Sequence, residues 1–317
     1  MTSPFFERIV VVGLGLIGSS LARAIKRGGL AGTLVGVDAS TAVRARAEAL
    51  GFADRVLADP AAASAGADLV VLATPVGAYR AIGEALAPAL KAGAILSDVG
   101  SVKGAVVKML APLMPPGTHL IPAHPVAGTE HSGPDAGFAE LFEGRWCIVT
   151  PPAGADPAAI EKVAELWRRV GMKVEAMDPA HHDLVLAITS HLPHLIAYNI
   201  VGTADDLEAV TKSEVIKFAA GGFRDFTRIA ASDPVMWRDV FLNNREAVLE
   251  MLGRFTEDLT ALQRAIRWGD GAALEALFTR TRAIRRSIID AGQADPEEQK
   301  RRDDAAAAAA RNAAARR

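Results

Sequence analysis

Three short polar stretches in the first half of the sequence follow apolar runs, and each holds side chains that could do chemistry. They are Thr74-Pro75-Val76, Asp98-Val-Gly-Ser101-Val-Lys103 and His124-Pro-Val-Ala-Gly128-Thr129-Glu130. A neutral imidazole is a natural general base for an alcohol, and a serine hydroxyl can orient such a ring. We therefore predict that His124 accepts a proton and that Ser101 lies beside it. The alternative for His124 is a turn histidine stabilised by Pro125; for Ser101 it is a turn or N-cap serine, which the residue taken by itself favours.

A second group of histidines lies further along the chain. It comprises His181-His182-Asp183 and Ser190-His191-Leu192-Pro193-His194. His191 and His194 are three residues apart and share a helix face, while Pro193 would disturb the helix and free a carbonyl group. Histidine and aspartate are suitable zinc ligands, but the spacing matches no recognisable ligand pattern, so we predict no metal. For His181 and His182 we expect a place on a helix surface or at an interface.

Arginines follow a glycine pair in the second half of the chain, in the stretch Gly221-Gly-Phe-Arg224-Asp225-Phe-Thr-Arg228. The glycines should break a helix, and the planar guanidinium of an arginine just after such a break could bind a carboxylate with two hydrogen bonds. The alternative for Arg228 is a surface salt bridge, and for Arg224 that alternative is favoured.

The element that would position a cofactor beside these groups is a glycine-rich turn, Gly13-Leu-Gly15-Leu16-Ile17-Gly18, between a predicted strand and a predicted helix. In that context the three glycines predict a tight turn, a close approach of the backbone to a pyrophosphate, and close packing of helix against strand. The positive end of the helix dipole would face the phosphates. We expect Leu16, Ile17, Thr74 and Pro75 to contribute to the same cofactor site.

Asp38 ends the second predicted strand, where a carboxylate accepts hydrogen bonds from ribose hydroxyls and repels a 2′-phosphate. The sequence therefore favours NAD over NADP, although Arg44 and Arg46 lie near enough to keep NADP open. The same glycine turn would also suit FAD, or a nucleotide-free α/β domain.

Residues 8 to 177 alternate strand-like and helix-like segments, which is typical of a doubly wound α/β domain. Its helices include Ser19–Arg27 and Ala78–Leu90. Its predicted strands are Arg8–Val12, Thr33–Asp38, Leu69–Thr74, Ala94–Asp98, His119–Ala123, Trp146–Thr150 and Lys173–Met177.

After Asp178 the pattern becomes helical, with predicted helices over 179–201, 205–220, 233–268 and 270–291. The sequence thus predicts a Rossmann-like dinucleotide-binding domain over residues 1–177 and an all-α domain over 178–292. The long apolar helices must pack on other helices, in this chain or in a partner subunit. The alanine-rich and charged tail, 293–317, is predicted to be a frayed helix or disordered.

The composition limits the classes of partner. The net charge of −2 gives no attraction to nucleic acid or to an anionic membrane. We found no run of 18 apolar residues, so we expect no membrane span. One cysteine, Cys147, suits a reducing compartment, and we expect a cytoplasmic protein.

Taken together, these stretches resemble the prephenate/arogenate (cyclohexadienyl) dehydrogenase family over roughly residues 8 to 290, in order and in spacing. The resemblance implies a Rossmann-like domain followed by an all-helical domain that forms a homodimer. It also implies NAD-dependent oxidative decarboxylation of prephenate or arogenate in tyrosine synthesis, with a substrate pocket between the two domains.

Position by position, the resemblance implies that His124 is the catalytic histidine and that Ser101 positions it near the nicotinamide. It implies that Arg228 binds a substrate carboxylate and that Glu130 and Asp225 belong to an ionic network controlling access. The remaining implied pocket residues are Gly128, Thr129, His194 and Trp237. Two rival functions stay open: another Rossmann dehydrogenase of the β-hydroxyacid or imine-reductase kind, and a nonenzymatic NAD-binding sensor.

Overall fold

A computed structural model describes residues 3–211 and 217–290 of the chain, with side chains described except at 208–211. Its strands are β1 (Phe6–Val12), β2 (Ala31–Val37), β3 (Arg55–Leu57), β4 (Leu69–Leu72), β5 (Ile95–Asp98), β6 (His119–Leu120), β7 (Ala123–Pro125), β8 (Trp146–Val149) and β9 (Lys173–Ala176). Six of the seven predicted strands are found at nearly the predicted places, the seventh is divided, and the short β3 was missed.

The helices of the α/β part are α1 (Leu16–Arg27), α2 (Thr41–Leu50), α3 (Pro60–Ser64), α4 (Tyr79–Leu86), α5 (Gly104–Leu110) and α6 (Pro157–Arg169). The later helices are α7 (Pro179–Leu186), α8 (Leu192–Thr211), α9 (Gly221–Thr227), α10 (Pro234–Asn243), α11 (Arg245–Trp268) and α12 (Gly271–Asp290). The described residues after β9 contain helices and no strand, so the predicted fold class is confirmed.

Six strands form one parallel sheet in the order β3-β2-β1-β4-β5-β6, which is the order of a dinucleotide-binding fold. Side chains alternate between its faces, so Ile9 and Val11 of β1 belong to one apolar core and Val10 and Val12 to another. Trp237 of α10 packs in the second core. The carboxyl ends of the strands therefore share one edge, at which the glycine turn and the polar stretches meet.

The predicted strand His119–Ala123 is wrong as a single element. It divides into β6, which pairs with β5, and β7, which belongs to a separate sheet of order β7-β8-β9. Pro122 lies at the division, where it lacks the N–H that a continuing ladder would need, and its carbonyl accepts the Thr150 N–H at 2.9 Å. His124 consequently lies within a strand of the second sheet and not in a loop after the first.

Two predicted helix bounds also need correction. The predicted break between 201 and 205 is absent because α8 runs through Gly202, which alone does not end a helix. The helix predicted over 233–268 is two helices, which divide at Asn244, where the backbone leaves helical geometry. The predictions for residues 212–216, for residue 291 and for the 293–317 tail lie outside the described residues.

The chain forms two compact units that divide between Leu252 and Gly253. Helices α7 to α10 thus pack with the sheets in the first unit, and the domain division at residue 178 stays a prediction. By length and composition alone, Pro179–Leu207 could cross a membrane, a test that buried helices of water-soluble proteins also pass. Only part of this segment is buried, and the side chains of His182, Asp183 and His191 belong to that part.

Candidate active site

A cavity of about 670 Å³ opens at the carboxyl edge of the parallel sheet. The predicted site residues that line it are Gly15, Leu16, Ile17, Thr74, Pro75, Ser101, His124, Gly128, Thr129 and Glu130. The segment Ala231–Met236, at the start of α10, forms another wall. The structure therefore brings the cofactor turn and the candidate base into one cavity, as their positions after successive strands predict.

The glycine turn has the shape that a dinucleotide site needs. Gly13 has a φ of +96°, and a Cβ there would lie 2.7 Å from the Ala73 carbonyl. A Cβ on Gly18 would overlap the Gly13 carbonyl oxygen, so helix and turn touch directly. A Cβ on Gly15, in contrast, would meet nothing within 4 Å, because this backbone borders open space in the cavity. That open space at the N-terminus of α1 fits a pyrophosphate.

The end of β2 presents the carboxylate of Asp38 beside this turn. Its oxygens accept hydrogen bonds from the backbone N–H groups of Leu14 (3.0 Å) and Ser40 (2.9 Å). Arg44 donates to the carbonyls of Asp38 and Ala39, and Arg46 makes a bidentate ion pair with Asp135. Both arginines thus have protein partners, which agrees with the expected preference for NAD over NADP but leaves it a prediction.

His124 is buried and is held through its Nδ1 atom. That atom lies 2.9 Å from Nε2 of His182, whose own Nδ1 lies 2.9 Å from a carboxylate oxygen of Asp183. The predicted surface position of His182 is therefore wrong. On α7 the side chains of His182 and Leu186, four residues apart, face inwards, while His181 is exposed. The helical spacing of His182 and the apolar Leu186 was the signal that could have predicted this.

The surroundings of His124 disfavour its protonation. Burial lowers the pKa of His124 well below 6.5, and repulsion from the protonated forms of His182, Lys103 and His191 adds to this shift. Burial also lowers the pKa of His182 and brings the pKa of His191 down to about 4. His124 is thus neutral near pH 7, which is the state that a general base requires.

Ser101 lines the same cavity, but it does not hold the Nδ1 atom of His124, because His182 occupies that position. The prediction that Ser101 positions the His124 ring stays a prediction, and a contact that does so has to be made at an atom other than Nδ1. The loop that carries Ser101 is held at its C-terminal end, where Asp183 accepts the N–H groups of Lys103 (2.7 Å) and Gly104 (2.8 Å).

A buried ion pair lies directly behind His124. The Lys103 ammonium donates to Asp98 (2.6 Å) and to the carbonyl of Ala123 (2.7 Å), and Asp98 accepts the Ala123 N–H (3.3 Å). The residue before His124 is thus held through both of its backbone polar groups. The sequence motif included Asp98 and Lys103, but nothing in it showed that they pair across the turn.

Arg228 and Glu130 meet at the edge of the cavity, with Nη1 and Oε2 3.2 Å apart. The Arg228 side chain is 60% exposed, so this ion pair by itself contributes little stability and leaves the guanidinium accessible. Asp225 lies exposed on α9, and no ion pair of it is found among the described residues. The predicted ionic network is therefore seen as the Glu130–Arg228 pair alone.

His194 and Trp237 form a stacked pair, with ring centroids 3.6 Å apart and an interplanar angle of 23°. His194 Nδ1–H donates to the carbonyl of Ser190, four residues earlier, beside a π-helical turn at Ala187–His191. Neither ring lines the main cavity, although Met236, next to Trp237, does. In the parts of the chain that the structure covers, no group of three or more His, Cys, Asp or Glu could hold a metal ion.

The strand order, the glycine turn and a buried neutral histidine in one cavity define the class of NAD-dependent dehydrogenases. Comparison with known proteins narrows the class. Residues 21–176 match the family description "Prephenate dehydrogenase, nucleotide-binding domain", and residues 178–280 match "Prephenate dehydrogenase, dimerization domain".

Individual relatives of the chain are dehydrogenases of the same kind. The chain is 44% identical to the cyclohexadienyl dehydrogenase of Zymomonas mobilis over 89% of this chain and 96% of the relative. It is 32% identical to the prephenate dehydrogenase of Bacillus subtilis over 88% and 75% of the two chains. The crystal structure of the Aquifex aeolicus prephenate dehydrogenase, with hydroxyphenyl propionate and NAD+, superposes with a TM-score of 0.82 at 34% identity, covering 91% and 99%. The chain belongs to the prephenate dehydrogenase family of oxidoreductases.

Proposed function

We propose that this enzyme oxidatively decarboxylates prephenate, arogenate or both with NAD+, in the synthesis of tyrosine, and that His124 is its general base. The observation that carries the role of His124 is its place in the cavity: neutral, buried, held at Nδ1 by His182, and in the same cavity as the glycine turn. Family membership disfavours both rivals, the β-hydroxyacid or imine-reductase type and the NAD sensor.

The substrates are cyclohexadienols with a ring carboxylate opposite the hydroxyl group. In the proposed reaction His124 accepts the hydroxyl proton as the carbinol carbon is oxidised. NAD+, when bound at the glycine turn, supplies the hydride acceptor. Carbon dioxide leaves from the opposite carbon and takes none of its bonding electrons, so the ring becomes aromatic and its phenolate oxygen takes the proton back from His124. Because aromatisation drives the step, the protein mainly has to position groups and take one proton.

A cation at the cavity would bind the carboxylate of the substrate, and Arg228 is the best candidate for this cation. It is accessible, and its partner Glu130 lines the cavity. We propose that a substrate carboxylate replaces or joins Glu130 at the guanidinium. Ser101, Gly128 and Thr129 form the neighbouring wall, and the remaining proposed pocket residues are His194, Trp237 and Asp225.

We also propose a cytoplasmic homodimer without nucleic-acid or membrane partners. Large apolar side chains are exposed on the last helices, among them Ile266 and Trp268 of α11 and Phe278 and Ile284 of α12. A second copy that covers them would remove this surface from water. Light scattering on the purified protein should give twice the chain mass, and a monomer at micromolar concentration would contradict the dimer.

The reaction is tested by NADH absorbance with purified enzyme, NAD+ and either prephenate or arogenate, with NADP+ in parallel. We expect turnover with at least one substrate and preference for NAD+. The ratio of kcat/KM values between the substrates would name the physiological one. NAD+ binding without turnover of either substrate would refute the proposed reaction and favour a sensor or a different dehydrogenase.

A further inference from the structure

Two contacts behind His124 join it to His182 and join His182 to Asp183. Which group donates in each contact follows from the protons that each side chain carries. Asp183 can only accept hydrogen bonds in this arrangement. Both carboxylate oxygens accept backbone N–H groups, those of Lys103 and Gly104, which can only donate. An ionised carboxylate has no proton of its own to give, so the contact between Asp183 Oδ1 and His182 Nδ1 places the proton on His182 Nδ1.

The position of the proton on His182 determines the position of the proton on His124. A neutral imidazole carries one proton, so His182 with its proton on Nδ1 has a bare Nε2. This bare nitrogen lies 2.9 Å from Nδ1 of His124, and two bare nitrogens would repel each other there. His124 therefore carries its proton on Nδ1, which leaves Nε2 as its acceptor atom.

We propose that Asp183 and His182 are positioning residues that fix His124 in the tautomer with a bare Nε2, the only tautomer that can take a proton at the cavity side. This inference rests on the proposed role of His124 as the general base. Neither His182 nor Asp183 lines the cavity, so in this proposal both act through His124. Without them, the neutral ring could place its proton on either nitrogen, and the population with Nε2 protonated would be inactive.

The rest of the structure keeps these groups in place. Asn244, at the division between α10 and α11, donates from Nδ2 to the backbone carbonyl of Asp183 (2.8 Å) and to Nδ1 of His191 (3.0 Å). The break in the predicted long helix thus supplies a side chain that ties α7 and the π-helical turn to the start of α11. The charged and titratable groups around His124 include His182 and Asp183 of α7, His191 of the π-helical turn, Lys103 with Asp98 of the turn after β5, and Cys147 of β8.

The first test reads the tautomer directly and needs no catalysis. Protein labelled with ¹⁵N-histidine is studied by long-range ¹H–¹⁵N correlation NMR in the absence of ligand, with His124 and His182 assigned by substitution among the seven histidines of the chain. We expect protonated Nδ1 and bare Nε2 in both rings at pH 7.5. A proton on Nε2 of His124 would overturn the inference, even if the enzyme turned prephenate over. Failure of the proposed function would instead appear as inactivity with this tautomer pattern intact.

The second test separates positioning from general structural support. His182→Leu removes the acceptor for His124 Nδ1–H, whereas the carbonyl oxygen of His182→Gln can replace it. We expect His182→Leu to lower kcat roughly 10–100-fold with KM and the Kd for NAD+ little changed, and His182→Gln to recover most of the lost activity. The matched control is His181→Leu, an exposed neighbour on the same helix, which should keep wild-type kcat.

Equal kcat values for His182→Leu and the wild type would overturn the inference, and so would equal losses in the Leu and Gln variants at unchanged thermal stability. Asp183→Asn gives a complementary result. An amide at this position can donate to His182 Nδ1 and so reverse both tautomers, which the same NMR measurement would show as a proton on Nε2 of His124. Asp183 also accepts two backbone N–H groups, so a loss of activity in this variant could come from the altered backbone contacts. The tautomers of this variant are therefore measured by NMR.

Discussion

The environment of His124 suits the role of general base that we propose for it. Most histidines titrate near pH 6.5, but burial and nearby cations hold the pKa of His124 well below this value. The free enzyme therefore keeps the proposed base, His124, unprotonated in mildly acidic solution. The acid limb of kcat/KM for the free enzyme should consequently lie well below pH 6.5, because His124 accepts an inhibiting proton only there.

For His124→Asn we expect kcat to fall by about 10²- to 10⁴-fold, since the amide cannot take the hydroxyl proton. The measurement is steady-state NADH formation, with NAD+ binding measured in parallel to show an intact fold. The acid limb of the wild-type profile should be absent from any residual activity. Near-normal turnover of the variant would contradict the assignment of the base.

Arg228 can be interpreted either as one half of a surface salt bridge or as the residue that binds a substrate carboxylate. For Arg228→Gln we expect the KM of the substrate to rise roughly 10–100-fold with a smaller change in kcat, because a charged hydrogen bond to a carboxylate is worth about 1.5–3 kcal/mol. The matched control is Arg224→Gln, an exposed arginine one helical turn earlier. If both variants raised KM equally, general surface charge and not a specific contact would explain the effect.

At the scale of elements, the turn between β1 and α1 combines two different demands on glycine. Gly18 is needed by the protein itself, because a Cβ there would overlap the Gly13 carbonyl. Gly15 has open space around it, so only a ligand can require its lack of a side chain. The three glycines of one motif thus differ in what they contribute, although the sequence presents them alike.

The pair Gly15→Ala and Gly18→Ala separates these contributions. We expect Gly15→Ala to melt close to the wild-type temperature but to raise the Kd for NAD+ about tenfold or more, equivalent to at least about 1.4 kcal/mol. Gly18→Ala should lower the melting temperature, because helix and turn must move apart. Calorimetry with and without NAD+ measures both quantities. A Gly15→Ala protein with wild-type NAD+ affinity would show that the pyrophosphate lies elsewhere.

At the scale of the whole molecule, the site places several neutral histidines inside the fold. Burial lowers the pKa values of His124, His182 and His191, the last from 6.5 to about 4. The unfolded chain takes up these protons near pH 6.5, whereas the folded chain does not. Below pH 6.5 the unfolded state therefore binds more protons, and the free energy of unfolding must fall as the pH is lowered.

We expect urea denaturation to show this loss beginning near pH 6.5, with His191 alone accounting for about 3 kcal/mol once the pH is below about 4. His191→Gln should show a shallower decline than the wild type over this range. His181→Gln, which changes an exposed histidine, should follow the wild-type curve. A stability that stays constant between pH 6.5 and 4.5 would contradict the neutral state of these buried rings.

By itself, the sequence determined the features that depend on neighbours along the chain. Apolar runs and glycine spacing predicted the parallel strands, the cofactor turn and the change to helices, because these follow from local periodicity and backbone freedom. The motif around His124 indicated the base. Even the errors at Pro122 and Gly202 were local ones, which concern where an element ends.

Only the tertiary structure decided which groups surround that base. His182 is 58 residues from His124 along the chain, and Asn244 is 61 residues from Asp183. No periodicity of a helix or a strand relates such positions, because their contact depends on how α7 and α10 pack against the sheet. The sequence therefore indicated a histidine base, whereas its neutral charge and its inferred tautomer follow from burial and from partners that only folding brings together.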